Sequence, residues 1–146
     1  MKEISEVEIE TFVQATEDEE KVVKAVENII PLEMRTNGKN LARESVRGVF
    51  HNPITIIRLK YLQDAKKIVE FIAQNLSKSD KQYLLQTLNQ RIDKNHFFLR
   101  FGKQELSQGR IEIKEIRDVV KVRVSFTRNY SDLDKIIALL QEVELI

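Results

Sequence analysis

From Val119 to Phe126 the side chains alternate: Val120, Val122, Val124 and Phe126 are apolar, and Lys121, Arg123 and Ser125 between them are polar. Period two is the signature of a β-strand, and a strand with one apolar and one charged face fits only a sheet that is covered on one side and wet on the other. The pattern recurs twice. Val7, Ile9, Thr11, Val13 and Ala15 alternate with Glu6, Glu8, Glu10, Phe12 and Gln14, and Phe97, Leu99 and Phe101 alternate with His96, Phe98 and Arg100. A half-exposed sheet is therefore the frame into which the rest of the chain must fit.

The remaining segments supply the cover. Val22, Val23, Val26, Ile29 and Ile30 fall at helical spacing and Pro31 ends that run; Thr16 with Glu19 forms a capping-box pattern at its start. Ala65, Ile68, Val69, Ile72 and Leu76 mark a second helix. Leu84, Leu85, Leu88 and Ile92 mark a third, with Ser79 and Gln82 placed to cap it. Leu133, Ile136, Ile137 and Leu140 mark a last helix, opened by Ser131. Leu41–Phe50 and Ile54–Tyr61 flank the turn His51-Asn52-Pro53 and read as a hairpin. Residues 102–118 read as a polar loop with a short extended piece near Ile111 to Ile116. The expected order is β-α-β-β-α-α-β-(β)-β-α over one domain, residues 1–146. This predicts an α+β, two-layer sandwich: a mostly antiparallel sheet with helices packed on one face.

Several chemistries are excluded or disfavoured. The chain has no cysteine, so disulfides and thiolate metal sites are ruled out. Its two histidines, His51 and His96, stand 45 positions apart, and no catalytic motif for a hydrolase, metalloprotease or phosphate-binding loop occurs. Neither an enzyme activity nor a cofactor or metal is expected. The acidic run Glu17-Asp18-Glu19-Glu20 suits the positive end of a helix better than a cation site. No apolar run approaches a membrane span and the opening MKEISEVEIE lacks the apolar core of a signal peptide, so a cytoplasmic protein without membrane contact is expected.

Charge then points towards a partner. The net charge of +1 conceals a net −7 over residues 1–34, +11 over 35–131 and −3 over 132–146. Such asymmetry fits a polyanion bound by the central part, or an ordinary solvated surface with local ion pairs. Three basic groups are candidates. The first lies on the outward sheet face: Arg58, Lys60, Arg100, Lys121 and Arg123, with Phe12, His96 and Phe98 beside them. Cations neutralise phosphates and exposed rings stack on unpaired bases, which makes this a single-strand platform; Glu8 and Glu10 count against it. The second group is Arg35, Lys39, Arg43 and Arg47 around an Asn37-Gly38 tip, and the third is Arg100, Lys103 and Arg110 around Gly102 and Gly109. The same face, with Phe12 and Phe98 as apolar anchors, equally suits a protein-interaction or homodimerisation module.

The third group also carries a resemblance. FFLRFGKQELSQGRIEI, residues 97–113, resembles the L-R-x-D-K-Q-x-x-x-x-G segment of a small archaeal family of RNA-binding proteins described as predicted exosome subunits. ATEDEEKV, residues 15–22, is similar to that family's A-T-E-D-x-x-K-V block, and GVFHNPI, residues 48–54, to its G-x-x-G-N-P-I turn. His51 stands where the family pattern has Gly, Gly102 where it has Asp, and Glu105-Leu106 replace two alanines. The resemblance implies a fold related to the ribosomal protein that binds 5S RNA, and a non-catalytic role in RNA binding beside the exosome or the ribosome. It implies Asn52, Arg100, Lys103 and Gln104 as RNA contacts, the two cations on phosphate and the two amides on base edges or 2′-hydroxyls. Asn52 has a second reading as the residue that holds its own turn.

Overall fold

The structure is a computed structural model that describes residues 3–116, 118–130 and 132–146. Three long strands, β1 (Ile4–Gln14), β3 (Pro53–Tyr61) and β6 (Val119–Phe126), form the middle of the sheet. β2 (Ala42–Arg47), β5 (His96–Gly102) and the two-residue β4 (Ile92–Asp93) extend it in the order β2-β3-β1-β6-β5-β4, every pairing antiparallel. The alternation read from sequence fixes which face is dry. Val7, Ile9, Leu59, Phe97, Leu99, Phe101, Val120, Val122 and Val124 are buried in one core. The apolar stripes of α1 (Glu19–Glu27), α2 (Ala65–Asn75) and α6 (Leu133–Glu142) join that same core, as do Leu84 of α3 (Lys78–Gln86) and Leu106 of α5 (Lys103–Ser107). The molecule is thus the expected α+β sandwich, with its helices on one face of an antiparallel sheet.

Local differences have local causes. α1 is capped by Asp18, whose carboxylate accepts from the Glu20 amide at 3.0 Å, and not by Thr16. Glu17 instead turns back to accept from the Gln14 amide at 2.9 Å, so the capping-box pattern is present in sequence but unused. α3 is capped by Ser77 rather than Ser79, its hydroxyl accepting from the Asp80 amide at 3.1 Å. The expected third helix divides at Thr87, whose hydroxyl donates to the Tyr83 carbonyl, and α4 (Leu88–Arg91) follows. The expected cap Ser131 lies outside the described residues; Asp132 caps α6 by accepting from the Asp134 amide. The expected extended piece near 111–116 is not a strand: Ile113 makes a single bridge to Phe101, and α5 occupies the start of the expected loop.

The β2–β3 hairpin forms as read, but its strand stops at Arg47 and its tip stands free. The Gly48 amide donates to the Asn52 carbonyl at 2.8 Å, and His51 sits at φ +61°. A Cβ on Gly48 would lie 2.5 Å from Asn52 Oδ1, so only glycine lets the Asn52 side chain fold back over its own turn.

Candidate nucleic-acid interface

Strand register assembles the open face row by row. Antiparallel partners project to the same side, so Arg58, Glu10, Lys121 and Arg100 form one row across β3, β1, β6 and β5. Lys60, Glu8, Arg123 and Phe98 form the next. β1 therefore drives an acidic stripe, Glu6, Glu8 and Glu10, between two basic ones. Arg58 donates to Glu10 at 2.7 Å and to Glu44 at 3.1 Å. These two acceptors raise its pKa above the ordinary guanidinium value, as hydrogen bonds to the charged form should. Lys60 pairs with Glu6 and Glu8 at 3.6 and 3.8 Å, and Arg123 with the same two at 3.5 and 3.3 Å. Three of the expected platform cations are thereby held by carboxylates.

The β5–β6 end of the face is different. Arg100 and Lys121 are directly opposed across the strands, exposed, and without a carboxylate partner among the described residues. Lys121 also flanks Glu10, but that carboxylate is turned to Arg58; the ammonium lies 5.9 Å from the Phe12 ring centre instead. Phe12 and Phe98 are 42% and 41% exposed, large for aromatic side chains on a sheet. His96 stands 6.2 Å from Phe98, ring to ring, and its Nδ1 shares a 2.8 Å hydrogen bond with the Ser125 hydroxyl. Beyond Phe98 the face descends into a cleft of about 510 Å³ lined by Tyr83, Gln90, Arg91, Arg100, Glu115 and Lys121.

The other expected contacts do not join this surface. Arg43 and Arg47 lie in register with Ile57 and Pro53, on the side of β2 opposite to the open face. Arg43 pairs with Glu19 of α1 at 3.1 Å, Arg47 donates to the His51 carbonyl, and Arg35 donates to the Ile30 carbonyl. Lys39 is exposed in the preceding loop, whose Asn37 and Gly38 amides both donate to the buried Glu27 carboxylate. Arg110 pairs with Glu112 at 3.4 Å. Gln104 is exposed on α5, near Glu17, Asp18 and Asp118. Asn52 packs on its own turn.

Lys103 requires a correction. It is 5% exposed, and its ammonium donates to the Phe12 carbonyl at 2.6 Å and contacts Glu17 at 3.1 Å and Asp118 at 2.8 Å. The ammonium thus has a carbonyl and two carboxylates around it. Lys103 ties the end of β1 to the entries of α1 and β6, so a surface phosphate contact is not its position. Sequence reading also overlooked two features. Arg91 is 7% exposed with its guanidinium 5.4 Å from the Tyr83 ring, in a segment read only as helix. Val49 and Phe50, at the hairpin tip, are 92% and 89% exposed. Extending the strand through Phe50 concealed them; the Gly48–Asn52 turn signal would have placed them outside it. Among the described residues no three His, Asp or Glu side chains converge to hold a metal ion, and no helix is long and apolar enough to cross a membrane.

Comparison with known proteins gives the chain a family. A family model described as RNA binding matches residues 6–126. An RNA-binding protein of Pyrococcus abyssi is 33% identical over 121 residues, spanning 81% of this chain and 79% of that protein. An uncharacterized protein of Methanocaldococcus jannaschii is 31% identical over 126 residues, spanning 84% and 85%. Two solved DUF54 structures superpose well. That from Methanothermobacter thermautotrophicus has a TM-score of 0.78 at 25% identity, covering 97% of this chain and 98% of the other. That from Sulfolobus solfataricus has 0.73 at 25%, covering 94% and 98%. With the matched segment running from the first strand of the sheet to the end of β6, the chain belongs to this archaeal RNA-binding family.

Proposed function

We propose that the protein binds single-stranded RNA at the β5–β6 end of its open sheet face, without catalysing a reaction, as an accessory of the RNA-processing exosome or the ribosome. The observation that carries this reading is the opposed pair Arg100 and Lys121. Like charges directly opposite across a sheet are destabilising, and here neither cation forms an ion pair with a carboxylate among the described residues. A phosphate between them would relieve that repulsion. The rings of Phe12 and Phe98 flank the pair and offer stacking surfaces for unpaired bases. Family membership supports RNA as the polyanion; the exosome or ribosome setting, and with it the cytoplasm, is carried by the sequence resemblance alone. Fluorescence anisotropy with a labelled decauridine tests the site. Replacing Arg100 and Lys121 together by Ala should weaken binding about tenfold or more, whereas Arg58→Ala, already neutralised by two glutamates, should change it less than about twofold. Equal losses in both would reject this location.

A second reading has one observation in its favour. Val49 and Phe50 present adjacent apolar side chains at the tip of a projecting hairpin, which suits docking on a second copy of the chain or another protein. Light scattering should then give a mass that rises with concentration and returns to the monomer value in Phe50→Ser. A constant monomer mass would remove homodimerisation.

A further inference from the structure

The cleft beside Phe98 has the composition of a nucleotide site, and no residue on its helical wall is accounted for by the sheet platform. Its floor is Arg91, nearly fully buried and fixed on three sides: Nε donates to the Thr87 hydroxyl at 2.8 Å, Nη1 reaches the Phe98 carbonyl at 3.5 Å, and Nη2 binds Glu115. The guanidinium lies over the Tyr83 ring, 5.4 Å from its centre, and Tyr83 is itself 37% exposed, so one ring face is held by Arg91 while part of the ring reaches the cleft. Phe98 presents a second ring on the sheet side, and Arg100 and Lys121 stand at the rim. Among the described residues Glu115 is the one acidic side chain of the lining, and Arg91 already engages it. What remains unused is two aromatic surfaces and two rim cations around about 510 Å³, within the range of small-ligand pockets.

We infer that this cleft receives a single unstacked nucleotide of the bound RNA, its base against the Tyr83 and Phe98 rings and its phosphate at Arg100 and Lys121. The inference rests on the RNA-binding reading and deepens it. The open face alone would hold a strand by charge and stacking; the cleft would take one base out of the strand and enclose it. The preformed, buried Arg91 keeps Tyr83 in place before any ligand arrives, which lowers the ordering cost of binding. Gln90, exposed on the same wall, offers an amide to the edge of that base.

The test uses the intact protein and three small probes, adenosine 5′-monophosphate, adenosine and ribose 5′-phosphate, followed by amide and ring shifts in NMR. The monophosphate should shift Tyr83, Gln90, Phe98, Arg100 and Lys121, and should bind at least about tenfold more tightly than either half alone. Tyr83→Leu should weaken the monophosphate and decauridine each about fivefold or more, and Tyr83→Phe should restore both. Because Tyr83 is a surface position on α3, a retained thermal midpoint in both variants separates lost binding from lost folding. The inference is overturned if the monophosphate leaves the cleft resonances unmoved, or if Tyr83→Leu binds decauridine normally while the Arg100 and Lys121 substitutions do not. In either case the sheet-face reading survives. Loss of neither would sink the sheet-face reading as well. Binding of the monophosphate by a protein that ignores decauridine would assign the cleft to a free nucleotide and overturn the inference as stated.

Discussion

Tyr61 shows how a single atom can stand apart from a well-satisfied core. The side chain packs against the core at the end of β3, yet its hydroxyl is buried with no hydrogen-bond partner. Burial, and secondarily the nearby Glu27 carboxylate, push its pKa above the ordinary phenol value. Removing an unpartnered buried hydroxyl removes a desolvation cost, so Tyr61→Phe should be neutral or stabilising by up to about 1 kcal/mol near pH 7. The pH dependence has a fixed sign. The folded state holds the phenol proton more tightly than the unfolded chain, whose tyrosines titrate near pH 10. The contribution is complete below that value and is lost as pH rises through the higher folded value. Urea unfolding at about pH 7 and about pH 11 should therefore show a smaller alkaline loss in Tyr61→Phe than in the parent. Tyr130, whose pKa burial and Glu3 also raise, retains its own share. An unchanged alkaline loss would show that the Tyr61 phenol is not the group responsible.

At the scale of elements, the sequence was legible wherever a pattern repeated. Alternation located β1, β5 and β6 and told their dry faces from their wet ones, because a one-residue shift would have turned Val120, Val122 and Val124 to water. The helical stripes located α1, α2 and α6. What could not be read was settled by contacts distant in sequence. Nothing local in K-Q-E-L-S marks α5 as a helix, since the five residues are too few for a stripe; it forms because Leu106 reaches the core and Lys103 finds Phe12, Glu17 and Asp118. The same contacts remove Lys103 from the surface, where its neighbours in sequence, Arg100 and Gln104, remain. Competing caps were likewise beyond local rules: Thr16 and Asp18 are both good N-caps, and the choice fell to Asp18 once Glu17 had folded back onto β1. The site was half legible. Phe98, Arg100 and Lys121 follow from alternation, whereas Tyr83 and Arg91 belong to a helical wall that only the tertiary fold brings to the edge of β5.

The whole molecule undoes the charge segregation of its sequence. The acidic N-terminal third and the basic centre are separate along the chain, but β1 runs through the middle of the sheet with β3 on one side and β6 on the other. Glu6, Glu8 and Glu10 thus stand among Arg58, Lys60 and Arg123, and the excess of positive charge in residues 35–131 does not become a continuous phosphate track. The remaining basic groups lie on another face or in loops, several beside their own carboxylates or carbonyls. This sets a quantitative limit on RNA binding. Each phosphate neutralised on a single strand contributes about −0.7 to the slope of log K against log salt. A pair such as Arg100 and Lys121 predicts a slope near about −1.4, and one or two further contacts no more than about −3. A track using ten of the central cations would give about −7. Anisotropy titrations of decauridine over a range of salt concentrations separate these cases. The parent should fall in the shallow range, Arg58→Ala should leave its slope unchanged, and the Arg100 and Lys121 double substitution should make it shallower by about 1.4. A steep slope that survived the double substitution would mean that paired cations release their carboxylates to bind RNA, and that the acidic stripe of β1 is displaced rather than permanent.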